Sequence, residues 1–213
     1  EADWAKCSEV PIVISDQLPR NQEFWRSTVN HQQQLREAKL LFASGQLDKS
    51  IESFNRAEEQ GSDIVDTCLS RGAALMALRR FEEAERDFSS VLEADGDNER
   101  AYFFRGVARA ALGQYQAAIL DLTQSLSRNS DRVIARLIRG LAYSELGQSN
   151  NAERDFDSAA AFSASEMESF KNVFGVIDSP FKNTKAMLAE ENGSWKNVLS
   201  DRSAQMLRTL LDN

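Results

Sequence analysis

The stretch FFRGVARAALGQYQAAILDL, residues 103–122, sets a glycine, Gly106, in the middle of a helical pattern. Glycine inside a helix costs about 1 kcal/mol relative to alanine, so its presence needs a reason. Two further stretches repeat the arrangement: CLSRGAALMALRRFEEAERDF from Cys68 and RLIRGLAYSELGQSNNAERDF from Arg136. Aligned on Arg-Gly, the three glycines are Gly72, Gly106 and Gly140, each 34 residues from the next. Three at one period are a packing rule.

Stepping by that period divides the chain into units 31–64, 65–98, 99–132 and 133–162. The eighth position of each holds Ala38, Gly72, Gly106 and Gly140, and the twentieth holds Ser50, Ala84, Ala118 and Ala152. Small residues at both places predict two helices in close contact. Phe54, Phe88, Leu122 and Phe156 at the twenty-fourth position are expected to fill the space between neighbouring units. Gly45, Gly113 and Gly147 at the fifteenth supply the left-handed residue that ends a helix, with Arg79 departing from the pattern.

This pattern resembles the tetratricopeptide repeat family, whose unit is a 34-residue helix–turn–helix. The resemblance implies an all-α, right-handed superhelical solenoid of about four units, with an N-terminal extension over 1–30 and capping helices over 163–213. The family's usual proline near the end of each unit is replaced by Ser62, Gly96 and Ser130. It further implies binding of a protein or peptide partner in a concave groove lined by the first helices. The residues that the resemblance places there include Leu69, Ala73, Met76, Arg100, Phe103, Val107, Ala110, Leu137 and Leu141, which give the groove an apolar floor. One subfamily clamps acidic chaperone C-termini with basic residues and asparagines. The matching positions here are Leu35, Lys39, Ser70, Arg100 and Phe104, so that activity is not expected. The floor is open to two kinds of tenant, a partner segment or the chain's own "VPIVI" or last helix. The alternative function is that of an architectural subunit, held in a larger assembly by its N-terminal extension and C-terminal helices.

Arg71, Arg105 and Arg139 recur at the seventh position together with Asp87, Asp121 and Asp155 at the twenty-third. Their joint recurrence predicts a structural Arg–Asp ladder rather than a row of arginines for an acidic ligand. Arg109 stands where Leu41, Leu75 and Tyr143 stand in the other units, and a carboxylate from a neighbouring helix is its expected partner.

Outside the units, EVPIVISDQLP reads as an extended apolar stretch between prolines. The chain from Arg20 reads as helical, with Phe24 and Trp25 packing on the first unit. Near the C-terminus, ASEMESFKNVFGVID reads as one helix. SWKNVLSDRSAQMLRTLL reads as another, with Trp195, Val198, Leu199, Met206, Leu207, Leu210 and Leu211 at helical spacing. A solenoid needs an end cap with one polar face, and these helices are expected to supply it.

The net charge of −8 argues against nucleic acid and anionic membrane surfaces as partners. No apolar run approaches the ~18 residues that span a bilayer. The first residue is glutamate, which points to a processed or trimmed N-terminus and leaves the compartment open. Cys7 and Cys68 have no metal-site spacing, and Cys68 is expected to be a small buried side chain. His31 is the sole histidine, read as a solvated residue at a helix start. No catalytic constellation, metal site or cofactor motif stands out, so the expectation is a non-enzymatic scaffold of open oligomeric state.

Overall fold

The computed structural model describes residues 21–160, with side chains from 32 to 159. Among the described residues there are eight helices and no strand: α1 (Asn21–Ala43), α2 (Leu47–Glu59), α3 (Ile64–Ala77), α4 (Phe81–Ala94), α5 (Glu99–Ala111), α6 (Tyr115–Arg128), α7 (Val133–Glu145) and α8 (Ser149–Ala160). They form four antiparallel hairpins, α1–α2 to α7–α8. Each second helix also packs on the first helix of the following hairpin. The first helices α1, α3, α5 and α7 touch one another in sequence order and so line one common face. This is an all-α tetratricopeptide-type solenoid. No helix of the described residues is long and apolar enough to cross a membrane.

One sequence expectation changes here. α1 runs unbroken through residue 31, as the helical reading from Arg20 has it, so the N-terminal extension and the first unit share a helix. His31 accordingly lies inside that helix, not at its start. The side chains of Phe24 and Trp25, the extended stretch before Pro19 and the C-terminal helices proposed after Ala160 lie outside the described residues.

Each hairpin closes on the same contact. A Cβ built on Gly72 would lie 2.6 Å from the Phe88 ring, one on Gly106 2.8 Å from Leu122 Cγ, and one on Gly140 2.5 Å from the Phe156 ring. Real Cβ atoms do not approach carbon that closely, so the ring or leucine occupies the space that a side chain at position eight would need. The large residue at position twenty-four therefore packs within its own unit, a contact that the expected filling between units did not include. Phe88 does both: its ring also stacks on Phe104 of the next unit, with centroids 5.4 Å apart. Small residues at position twenty are almost fully buried, at 0–3% exposure.

The first turns are also common to all four hairpins. In the third, the Gly113 amide donates to Ala110 O and the Gln114 amide to Arg109 O, the paired bonds of a Schellman motif. Gly45, Gly113 and Gly147 take the left-handed φ this requires, at 76°, 76° and 72°. Arg79 adopts it too, at φ 61°, although its Cβ makes that conformation unfavourable. Arg79→Gly is expected to raise stability by about 0.5–1 kcal/mol. The gain is reduced by loss of the Arg79 guanidinium above the Phe81 ring, 5.8 Å from its centroid. Urea unfolding of the variant measures this, and a fall in midpoint would contradict it.

The arginines at position seven join neighbouring hairpins. Arg71 donates from Nε and Nη2 to Asp87 at 2.9 and 2.7 Å, Arg105 to Asp121 at 2.9 and 2.8 Å, and Arg139 to Asp155 at 2.7 Å twice. The remaining Nη1 reaches back to the preceding hairpin: Arg71 to Asn55, Arg105 to Ser89 and Arg139 to Thr123. These three acceptors share position twenty-five. Each guanidinium thus ties its own helix pair together and holds the pair before it in register.

Candidate partner-binding groove

The groove residues sit on the face shared by α1, α3, α5 and α7, and their exposure is uneven along it. At the fifth and ninth positions, Leu35 is 9% exposed and Lys39 is half-buried, while Leu69 and Ala73 are half-buried. Phe103 and Val107 fall to 3% and 2%, and Leu137 and Leu141 to 0%. Met76 and Ala110 are buried as well, at 1% and 0%, whereas Arg100 is exposed. The expected open apolar floor is therefore available to solvent only beside α1 and α3. In the α5–α7 half the same positions belong to the main hydrophobic core, together with Ile138 and Val133. An aspartate at Phe103 or Leu137 would test burial before it tested binding.

The open half carries charge as well as apolar surface. Lys39 Nζ donates to both carboxylate oxygens of Asp66, at 2.7 and 2.6 Å, bridging α1 and α3. Both side chains are about half exposed (42% and 50%), so the pair adds less than about 1 kcal/mol to stability. It flanks a cleft of about 390 Å³ whose walls include Gln32, Leu35, Arg36, Asp63 and Asp66. Asp63 caps α3 through its carboxylate, which accepts from the Asp66 amide at 2.7 Å. The cleft therefore presents two cationic and two acidic side chains around one leucine.

Toward the other half, Arg132 lies over the Phe103 ring at 4.4 Å and donates to Glu99 at 2.7 and 2.6 Å. Glu99 also accepts from Ser125 Oγ at 2.6 Å. Burial works against the charged carboxylate, but the bonds from Arg132 and Ser125 outweigh it and hold Glu99 below its ordinary value. This cluster joins α5, α6 and the start of α7. It was not legible from the repeat, because Glu99 and Arg132 are 33 residues apart and recur in no other unit.

Arg109 finds its carboxylate on the neighbouring helix. Nε donates to Glu85 at 2.8 Å and Nη1 to Asp121 at 2.8 Å. Asp121 therefore serves two guanidiniums and Arg109 is held away from any ligand role. Cys68 is 1% exposed and free. Burial, with Asp87 nearby, pushes its thiol up to about 11, which makes it a poor nucleophile. Cys7 lies outside the described residues.

Comparison with known proteins agrees with this architecture. The tetratricopeptide repeat family model matches residues 69–126. A UDP-N-acetylglucosamine--peptide N-acetylglucosaminyltransferase of Giardia intestinalis is 36% identical over 63 residues, 30% of this chain. The chain spans about 4% of that enzyme's length. Among solved structures, a crystal structure of MamA superposes with a TM-score of 0.60 at 18% identity, covering 67% of this chain and 78% of that one. A MamA RS-1 double mutant gives 0.64 at 13%, covering 84% and 95%. The Arabidopsis OM64 TPR domain gives 0.53 at 21%, covering 55% and 98%. At these identities the superpositions speak for the fold alone. With four hairpins in series and the family model matching residues of the second and third, the chain has a tetratricopeptide-type fold and carries a tetratricopeptide repeat match over residues 69–126.

Proposed function

We propose that this interaction scaffold holds a segment of a partner protein on the inner face of α1 and α3, and that it does so without catalysis. The observation that carries the reading is the uneven exposure of the groove. Leu69 and Ala73 are only half-buried on this face, beside Lys39, Phe42 and the charged cleft, while the equivalent α5 and α7 positions are buried. The supports are apolar anchoring sites next to Arg36, Lys39, Asp63 and Asp66, which together suit a partner segment of mixed charge with two or three apolar side chains.

Each anchor contributes about 1.5–3 kcal/mol on burial. After the costs of ordering a segment, the expected affinity is on the order of micromolar. Such a partner exchanges readily and is brought to its site by the scaffold rather than locked there.

The test is capture from the native source with the wild-type chain and with Ala73→Glu and Lys39→Glu variants. Both residues are half-buried, so the helical fold is expected to survive, which circular dichroism checks. A bound protein should be retained by the wild type and lost at least tenfold by Ala73→Glu. Equal capture by all three would place recognition elsewhere. Capture that fails only on removal of residues 1–20 or 194–213 would favour the architectural role instead.

A further inference from the structure

We propose that the outer face of α6 is a self-association surface, on which a second copy of this chain packs its own α6 about a twofold axis beside Leu120. Leu120 is 69% exposed in the middle of the helix. A single exposed leucine is ordinary on a protein surface. What sets this one apart is the absence of charge around it.

The other second helices show the contrast. Position twenty-two, where α6 has Leu120, holds Glu52, Arg86 and Arg154, all exposed. One turn earlier α2 and α4 carry Asp48 and Glu82, where α6 has Gln116. One turn later α2 carries Arg56, where α6 has Gln124. The outward stripe of α6 is Gln116, Leu120, Thr123, Gln124 and Ser127, exposed throughout and uncharged. The charges of the helix are engaged elsewhere. Asp121 is buried in the ladder. Arg128 donates from Nη2 to Asp97 at 2.8 Å and from Nη1 to Gln124 Oε1 at 2.8 Å, with its guanidinium 4.8 Å from the centre of the Tyr102 ring.

Charge decides the occupant. In a twofold contact, a residue near the axis meets its own copy. Glu52, Arg86 or Arg154 placed there would meet a like charge. Leu120 meets Leu120, and glutamine amides, which donate and accept at once, pair with one another. The chain carries a net charge of −8, so two copies repel wherever acidic surfaces face each other. The α6 stripe lets them touch with no charge at the centre. Glu82 and Arg86 on one side, and Arg154 and Asp157 on the other, confine the contact to about one helix from each copy. That is less than the roughly 1,200 Å² of a lasting interface, so the pair is weak and forms as concentration rises.

Such a pair leaves the α1–α3 cleft of each copy uncovered, because that cleft lies between first helices and α6 is a second helix. Two copies then present two clefts, and a partner with two matching segments is held more tightly than one cleft would hold it. The self-association stands whether or not those clefts take a partner.

Sedimentation equilibrium of the full chain from about 10 µM to about 1 mM tests it. The average mass is expected to rise from 23.9 kDa toward twice that value. The rise should be at least as strong in high salt, which screens the repulsion of net charge. Leu120→Glu and Leu120→Lys, changes to an exposed side chain whose folding circular dichroism checks, should each weaken association at least about tenfold. An equimolar mixture of the two should restore it, because the twofold contact sets glutamate against lysine. Leu40→Glu, at the 71% exposed leucine of α1, should change nothing. A chain that stays monomeric to about 1 mM overturns the inference, even if Leu120 then proves to hold a different protein. So does association that survives Leu120→Glu, that the mixture fails to restore, or that high salt abolishes. Loss through Leu40→Glu would name α1 as the contact and overturn it as well.

Discussion

Asp121→Ala should cost about 3–5 kcal/mol, the largest loss expected from any single carboxylate of the ladder. Asp121 Oδ1 and Oδ2 accept from Arg105 Nη2 and Nε at 2.8 and 2.9 Å, and Oδ2 accepts again from Arg109 Nη1 at 2.8 Å. The carboxylate side chain is 5% exposed and the two guanidiniums 17% and 21%. Removing it strands two partly buried cations near each other with fewer acceptors. Arg109 keeps Glu85 and Arg105 keeps Ser89, which limits the loss without abolishing it. Asp155, which serves Arg139 alone within the described ladder, is the natural control. Asp155→Ala is expected to cost less, about 2–3 kcal/mol. Urea unfolding followed by circular dichroism measures both. Equal losses for the two variants would show that the shared carboxylate has no special place in the ladder.

Gly140→Val is expected to cost about 3 kcal/mol, at the upper end of what overpacking does. A Cβ at that position would already lie 2.5 Å from Phe156 Cε1 and 2.8 Å from Cδ1, and valine adds two methyl groups to it. Phe156 is 1% exposed and held among other core side chains, so its ring has little room to withdraw. Gly140→Ala should be much milder. It gains about 1 kcal/mol in helix propensity and forces a smaller displacement of the ring. The first unit shows that a methyl group can be accommodated here, since Ala38 and Phe54 occupy the same two positions and are both fully buried. Gly106→Val should fall between, because the nearest atoms are those of Leu122, whose side chain has more rotamers than a phenyl ring. A thermal midpoint for Gly140→Val within a degree or two of wild type would mean that the α7–α8 contact is looser than its geometry.

The ladder and the glycine contact explain why so much of this fold could be read before any coordinates. Gly72 and Phe88, like Arg71 and Asp87, are 16 residues apart in one helical hairpin. Their recurrence records a contact made within about forty residues of chain, and each copy repeats the message. Arg109 shows the limit. Its need for a carboxylate was legible from a charge at a packing position, but Glu85, the partner on the preceding hairpin, follows from how two hairpins stack, while Asp121 faces it across its own hairpin. The Arg132–Glu99–Ser125 cluster had no repeat to announce it. Arg79 at a left-handed turn was visible as a departure, and its φ of 61° shows that the turn overrules the residue.

By itself, then, the sequence determined the helical hairpins, their number in the described region, the residues at each close approach and the pairing of arginine with aspartate. It did so because those contacts are short in chain separation and are written several times over. Tertiary structure alone decided that position twenty-four packs on its own hairpin, that one aspartate serves two arginines, and that only the α1–α3 half of the inner face is open. The first two depend on how the two helices of a hairpin face each other, and the third on what the neighbouring hairpins bury. A periodic pattern assigns the same role to every copy of a position, whereas burial depends on neighbours that differ from one end of the array to the other.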